Sequence, residues 1–258
     1  MDQLTDGITL GFSSSGGVGV RRAAQFLCAL NIAVMDITGF FSELIGWSLQ
    51  EFDPSFNGYI DAIGDRYIVL YDKRLEPEYP QKAVFLGSLV GALSASSYVV
   101  VIKFPSAYGK DAHELLARQS PPLAPKLWHC AWEEQVGTYA VVIQHIPRPA
   151  VCMLDVPEDE LDTVVKRAHI ESLRTAVATL HAHGWVFGDV REGNIFLPED
   201  SVQLIDFDWC GKEGEARYPD DINLKSIEWH EGVSRGGLIK KEHDEYVLKK
   251  ICDRYTFD

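Results

Sequence analysis

The feature that most constrains this 258-residue chain is a polar loop followed by two short apolar runs, between residues 180 and 208. Asp189 and Asn194 lie in the loop, after an amphipathic run that predicts a helix. Asp206 follows the second apolar run, so it falls at the end of a predicted strand. A loop carboxylate, an amide and a strand-end carboxylate can together orient a hydroxyl nucleophile and hold Mg²⁺ against a phosphate tail.

The pattern D-x-x-x-x-N, followed by an apolar run and D-F-x, resembles the catalytic and metal-binding loops of the protein-kinase-like superfamily. The resemblance implies that Asp189 is the catalytic aspartate and that Asn194 and Asp206 bind magnesium. The alternative is a helix, loop and hairpin whose carboxylates are incidental. Because all three residues recur at set intervals, the kinase-like interpretation is preferred.

Three positions in these loops depart from the usual pattern or extend it. Asp208 replaces the glycine of D-F-G, so it either stiffens the turn or adds a carboxylate to the metal site, as in small-molecule kinases. Phe187 replaces the histidine of H-R-D and is expected to be an apolar brace. Arg191 stands where many kinases place a lysine against the transferred phosphate. The alternative for Arg191 is an ion pair with Glu192 or another acid.

An upstream lysine extends the resemblance to the first half of the chain. A strand-like run ends in V-V-V-I-K, similar to the V-A-I-K strand of kinases, and implies that Lys103 contacts nucleotide phosphates. Glu114, on the predicted helix DAHELLAR, would hold this lysine. Gln144, His145 and Ile146 follow a later strand run and would form the hinge whose backbone binds adenine. A plain exit from a strand into a loop explains these three residues equally well.

The glycine-rich phosphate loop of the family is the main departure, because the chain has no G-x-G-x-x-G. The candidates are Gly87 and Gly91, or the glycine-free turn over residues 72–81. Without glycine, backbone amides approach phosphate less closely. A pseudokinase that binds partners without turnover is therefore an alternative. The Gly/Ser-rich residues 1–20 lack the Walker lysine and are predicted to be a mobile lead-in.

Residues 83–102 carry no charge and contain Gly87-x-x-x-Gly91, which allows either a membrane-spanning helix or a buried β-hairpin. Serines dilute the apolar character, and residues 98–102 are β-branched or aromatic, so the hairpin is preferred. Residues 21–49 are densely apolar and predict one or two helices.

Charge and cysteine content narrow the class of protein. The net charge of −14 argues against a nucleic-acid partner, which requires a local excess of Lys and Arg. Five scattered cysteines and the lack of a secretory signal predict neither a disulfide framework nor a zinc site. A reducing, cytoplasmic location is expected. Four histidines without a metal-ligand spacing are interpreted as structural: His129, His145, His181 and His183.

The sequence therefore predicts an α+β, two-lobed protein-kinase-like fold with a β-rich N-lobe and a truncated helical C-lobe. Its expected divisions are an extension over residues 1–80, the N-lobe over 81–146 and the C-lobe over 147–258. The resemblance implies ATP and Mg²⁺ as cofactors and transfer of the γ-phosphoryl group to a hydroxyl. The preferred acceptor is a Ser/Thr protein, and the alternative is a small molecule of the aminoglycoside or choline type. No nucleic acid or membrane partner is expected.

Overall fold

The computed structural model of the chain describes residues 56–75, 77, 83–91, 96–225 and 227–255. The lead-in predicted for residues 1–20 and the helices predicted for residues 21–49 lie outside these ranges. Within them, a β-rich part precedes a mostly helical part, which confirms the predicted α+β, two-lobed architecture.

The N-lobe is one six-stranded antiparallel sheet with a single helix inserted between its fourth and fifth strands. Its spatial order is β1-β2-β3-β4-β6-β5. The elements are β1 (Gly58–Ile60), β2 (Arg66–Leu75), β3 (Val84–Gly91), β4 (Ser97–Lys103), α1 (Lys110–Ala117), β5 (Leu127–Glu133) and β6 (Thr138–Gln144).

The C-lobe consists of three α-helices and short strand pairs that carry the loops between them. Its helices are α2 (Leu161–Val164), α3 (Arg167–Ala182) and α4 (Lys241–Arg254). Its strands are β7 (Val151–Cys152), β8 (Trp185–Val186), β9 (Ile195–Leu197), β10 (Gln203–Leu204) and β11 (Gly211–Lys212). They pair in the orders β10-β9-β7 and β11-β8, and 3₁₀ turns cover Met153–Asp155, Glu158–Glu160 and Glu192–Asn194.

The uncharged segment over residues 83–102 is a β-hairpin, as the sequence predicts. Strands β3 and β4 pair antiparallel, and alternate residues of β3 are buried, as expected when one face of a sheet covers a core. A Cβ atom on Gly87 would lie 2.3 Å from the carbonyl oxygen of Leu70, so the glycine permits close approach of β2. No helix in the described ranges is long and apolar enough to cross a membrane.

The boundary expected at residue 81 is wrong, because the sheet already begins at β1. Val69 of β2 pairs with Leu89 of β3, and both side chains are buried in the same core. The compact unit that contains this sheet begins at residue 54. Strand β1 has only three residues, which is too short for a period-2 pattern to reveal it.

Helix α3 supplies the centre of the C-lobe core. Ile170, Leu173, Val177 and Leu180 recur at helical spacing and are buried. The helix begins after Lys166, whose backbone N–H donates to His169 Nδ1 at 3.1 Å and so satisfies an amide at the helix start. The other ring nitrogen of His169, Nε2, donates to the carbonyl oxygen of Glu199 at 2.7 Å.

Candidate active site

The loop between β8 and β9 fixes Asp189 and Asn194 against each other. Asn194 Nδ2 donates to the backbone oxygen of Asp189 at 3.0 Å and to its Oδ2 at 2.8 Å. The N–H of Ile205, next to Asp206, donates to the carbonyl oxygen of Asn194 at 3.0 Å. Asp189 and Asn194 are each 4% exposed. The loop that carries them and the segment that carries Asp206 are therefore joined where solvent has little access.

Asp189 has one engaged and one free carboxylate oxygen. Arg191 lies 3.0 Å from Oδ2, whereas the buried Oδ1 has no hydrogen-bond partner among the described residues. Burial raises the pKa of Asp189 to about 6, against the attraction of Arg191. Glu192, the other acid considered for Arg191, instead binds Arg254 at 2.9 Å and the Tyr255 hydroxyl at 3.1 Å.

Lys103 stands between the two carboxylates of the D-F-D turn. Its Nζ lies 2.5 Å from Asp206 Oδ1 and 2.6 Å from Asp208 Oδ1. Burial alone would raise the pKa of Asp206, yet Lys103 holds it below its ordinary value. Burial and the charge of Asp206 raise the pKa of Asp208 to about 7. The charge on Asp206 thus makes the titrations of the two carboxylates interdependent.

The turn that carries these carboxylates is held by an aromatic stack. Asp206 has a φ of +67°, a left-handed conformation that is strained for a residue other than glycine. The fully buried Phe207 stacks on His113 with centroids 4.5 Å apart and meets Phe187 edge-on at 5.2 Å. Phe187 is therefore an apolar support beneath the turn.

His113 connects this stack to the N-lobe. Its Nε2 lies 2.7 Å from the carbonyl oxygen of Pro125, which can only accept, so Nε2 carries the proton. Its Nδ1 then accepts from the Tyr108 hydroxyl at 2.6 Å. Burial lowers the pKa of His113 to about 4, which keeps this bridging tautomer neutral.

The tether expected between Lys103 and Glu114 is wrong in this structure, because Glu114 hydrogen-bonds Arg118 one helical turn along α1. The orientation of α1 is the physical reason. The N–H of Gly109, at its start, donates to the Phe207 carbonyl oxygen at 2.8 Å, and the helix buries His113 toward the metal loop. Glu114, one residue later and about 100° around the helix, lies off that buried face.

Asp244 is a residue of this site that the sequence did not reveal. Its carboxylate, 2% exposed on α4, accepts from the backbone N–H groups of Phe187 and Gly188 at 2.8 Å each. His181 Nε2 lies 3.0 Å from the same carboxylate. Gly188 has a φ of +80°, and Asp189 follows directly. The C-terminal helix thus holds the catalytic loop through backbone hydrogen bonds that leave no local sequence signal.

The hinge candidates lie at the end of β6. The amide of Gln144 donates to the Lys126 carbonyl oxygen at 2.8 Å, and that of His145 donates to the Val99 carbonyl oxygen at 3.1 Å. The amide of Ile146 makes no hydrogen bond to any residue of the described ranges. Of these three residues, Ile146 therefore has the amide free to meet a ligand edge.

The candidate phosphate loop over residues 72–81 begins within β2, and the strand that follows it, β3, pairs Val84 with Lys103 of β4. Gly87 and Gly91 are instead within β3. Residues 76 and 78–82 of the turn lie outside the described ranges.

The donor set fits a magnesium ion. Asp206 and Asp208 offer carboxylate oxygens, and Asn194, whose amide nitrogen is engaged, has its side-chain oxygen available. Oxygen ligands of this kind are those Mg²⁺ prefers. Two carboxylates in contact repel each other once both are ionised, and a divalent cation would relieve that repulsion.

Known proteins are similar to this chain in fold and in part of its sequence. The structure is similar to that of the Cydia pomonella Granulovirus kinase PK-1, with a TM-score of 0.50 and 16% identity, over 73% of this chain and 67% of that chain. A family described as lipopolysaccharide core biosynthesis protein (WaaY) matches residues 132–242. These matches show a protein-kinase-like fold for the chain.

A curated relative of this kinase-like chain is the lipopolysaccharide core heptose(II) kinase WaaY of Escherichia coli (strain K12), 29% identical over 98 residues. The match spans 38% of this chain and 38% of the relative's length. A further similar structure is vaccinia related kinase 3, at a TM-score of 0.48 and 16% identity, over 78% of this chain and 67% of that one.

Proposed function

We propose that the chain is an ATP- and Mg²⁺-dependent phosphotransferase that moves the γ-phosphoryl group to a hydroxyl. The observation that carries the proposal is the convergence of Lys103, Asp189, Asn194, Asp206 and Asp208 on one partly buried site. Chance would not bring a lysine from a sheet in one lobe onto the carboxylates of a turn in the other. The match to a family that includes a named heptose kinase supports the same reaction class.

The proposed roles follow from charge and position. Asn194, Asp206 and Asp208 would hold magnesium, which supplies charge neutralisation at the phosphates when bound. Lys103 would turn from the carboxylates to the nucleotide phosphates, since the ion takes over neutralisation of those acids. Catalysis would then rest on positioning and electrostatics, as expected for phosphoryl transfer.

Asp189 is proposed to orient the acceptor and take its proton. Its buried Oδ1 has no partner among the described residues, so an incoming hydroxyl can donate to it. A pKa of about 6 leaves the group mostly ionised at pH 7 while keeping it basic enough to accept a proton. Arg191 holds Oδ2 and can reach a transferred phosphate from its half-exposed position.

Two classes of acceptor are proposed. The sequence favours a Ser/Thr hydroxyl of a protein. A small-molecule hydroxyl is the second candidate, and one observation favours a sugar in particular: the curated relative is named as a heptose kinase. The adenine would contact the free amide of Ile146, and the turn between β2 and β3 would cover the phosphates. Free thiols at the described cysteines suit a reducing, cytoplasmic location.

Turnover of radiolabelled ATP, with protein and sugar acceptors supplied in turn, tests the proposal. Asp189→Asn is expected to lower turnover by about 10²–10⁴-fold while ATP binding is kept, because only proton transfer and orientation are lost. Asp206→Asn should weaken magnesium-dependent ATP binding. Asp200→Asn is the matched control, since this exposed carboxylate pairs only with Lys166.

The binding-scaffold alternative gives a different result. A pseudokinase would bind nucleotide but show the same background phosphate release in the wild type and in Asp189→Asn. Equal rates in these two proteins would refute the proposed reaction, provided that both proteins are folded by circular dichroism.

A further inference from the structure

A second group of ligand-type side chains lies at the first turn of α4. His230, Glu242 and His243 each offer one ligand atom, and these three atoms lie within 4.8 Å of one another. His243 Nε2 is 4.0 Å from Glu242 Oε1, and the two imidazole rings have centroids 5.2 Å apart. The site includes none of the residues assigned to phosphoryl transfer.

The strongest sign of a missing partner is the ring nitrogen Nε2 of His243. The side chain is 2% exposed, and Nε2 is buried with no hydrogen-bond partner among the described residues. An unpaired buried polar atom is unfavourable, because it has lost its hydrogen bonds to water without gaining a partner. His169 occupies the equivalent position in the first turn of α3. Its Nε2, unlike that of His243, donates to the carbonyl oxygen of Glu199.

The surroundings of His243 allow Nε2 to present a lone pair. Nδ1 lies 3.1 Å from the Tyr218 hydroxyl and 3.4 Å from the Lys240 amide nitrogen. With the proton on Nδ1, His243 donates to Tyr218 and gives up only the longer contact with Lys240. Metal-binding histidines commonly donate their second ring nitrogen to a neighbour in this way.

A glycine keeps the space between the two imidazoles open. A Cβ atom on Gly232 would lie 3.0 Å from His243 Nε2 and 3.2 Å from His230 Nδ1. Larger residues would therefore crowd both ring nitrogens. The Gly232 N–H donates to His230 Nδ1 at 3.1 Å, so a cation bound to Nδ1 would replace this hydrogen bond.

We propose that His230, Glu242 and His243 bind a divalent transition metal of the zinc class. Two imidazoles and one carboxylate are a ligand set that suits zinc, with a fourth position left for water. Tetrahedral zinc holds its nitrogen and oxygen ligands at about 2.0–2.2 Å, so the three side chains must close slightly around the ion. Glu242 can move, because its side chain is half-exposed and its hydrogen bond is with the exposed Lys240.

The proposed metal has a route to the site and a structural consequence. His230 lines an open surface cavity of about 570 Å³, so an ion can enter from solvent. The ion would join the segment around His230 to the first turn of α4. Asp244, which holds the catalytic loop, is the next residue after His243, so the metal would fix the same helical turn.

Calorimetric titration of Zn²⁺ tests the proposal, in buffer that contains excess Mg²⁺ to fill the carboxylate site. The wild type is expected to bind one Zn²⁺ and to gain thermal stability as Zn²⁺ rises. His230→Ala should weaken this binding by at least about 10-fold. This half-buried position is chosen because replacing the buried His243 could unfold the protein. His183→Ala, at an exposed histidine just after α3, should bind as the wild type does.

Two results would overturn the proposal. One is a His230→Ala protein that binds Zn²⁺ with the affinity and stoichiometry of the wild type, which would assign the ion to other ligands. The other is a wild type that takes up no Zn²⁺ at about 100 µM, where a micromolar site would be nearly full. Because neither readout requires ATP turnover, the metal site and the kinase activity are tested separately.

Discussion

Replacement of Asp244 is the most informative test of how the catalytic loop is held. Its carboxylate receives two backbone hydrogen bonds of 2.8 Å in a nearly fully buried position. A hydrogen bond to a charged group contributes about 1.5–3 kcal/mol. In Asp244→Asn one oxygen remains to accept, while the new amide nitrogen faces an N–H donor. We therefore expect the free energy of unfolding to fall by about 3 kcal/mol.

Urea unfolding at pH 7 measures this change directly. With a urea slope of about 2–3 kcal/mol per molar, the midpoint should fall by about 1 M while the slope stays constant. Asp253→Asn is the matched control, because it removes the same charge from an exposed position on the same helix. If Asp244→Asn lowered stability no more than Asp253→Asn does, the reasoning about the buried carboxylate would be refuted.

Two further predictions concern the surroundings of the site. His113 has a folded pKa of about 4, below the unfolded value of about 6.5, so the unfolded state gains the proton first as pH falls. The free energy of unfolding should therefore drop by about 2 kcal/mol between pH 7 and pH 5. In urea unfolding of His113→Gln, this part of the pH dependence should be absent. Gly188→Ala should destabilise by about 2–4 kcal/mol, since its Cβ would lie 2.7 Å from Ile239 Cδ1 at a φ of +80°. Gly184→Ala, at a φ of +73° with nothing within 4 Å, should destabilise by only about 1–2 kcal/mol, and equal effects would contradict the steric argument.

The site residues that the sequence predicted best are those that belong to a short sequence motif. Asp189, Asn194 and Asp206 follow one another at short intervals through a helix, a loop and a hairpin, so local structure alone brings them near each other. Lys103 was placed at a strand end by a run of β-branched residues, and it does end β4. The fold class followed from the resemblance of these motifs to those of the protein-kinase-like superfamily.

The residues that were missed depend on packing between distant segments. Glu114 could not be excluded from sequence, because the rotation of α1 is set by the contact of Gly109 and His113 with Phe207. Asp244 accepts from residues more than fifty positions earlier, and a buried carboxylate on α4 looks like any other acid in a charged helix. The start of the sheet was misplaced because β2, which lies wholly before residue 81, joins the sheet by pairing with β3, and pairing between strands leaves no local sequence signal.

The central claim is most directly tested by calorimetric titration of ATP into the wild type and Asp206→Asn, each with and without Mg²⁺. The account predicts micromolar binding by the wild type that depends on Mg²⁺, and loss of that dependence in Asp206→Asn. Binding that is indifferent to Mg²⁺ in both proteins, or no binding at millimolar ATP, would contradict the assignment of Asn194, Asp206 and Asp208 to a magnesium-nucleotide site.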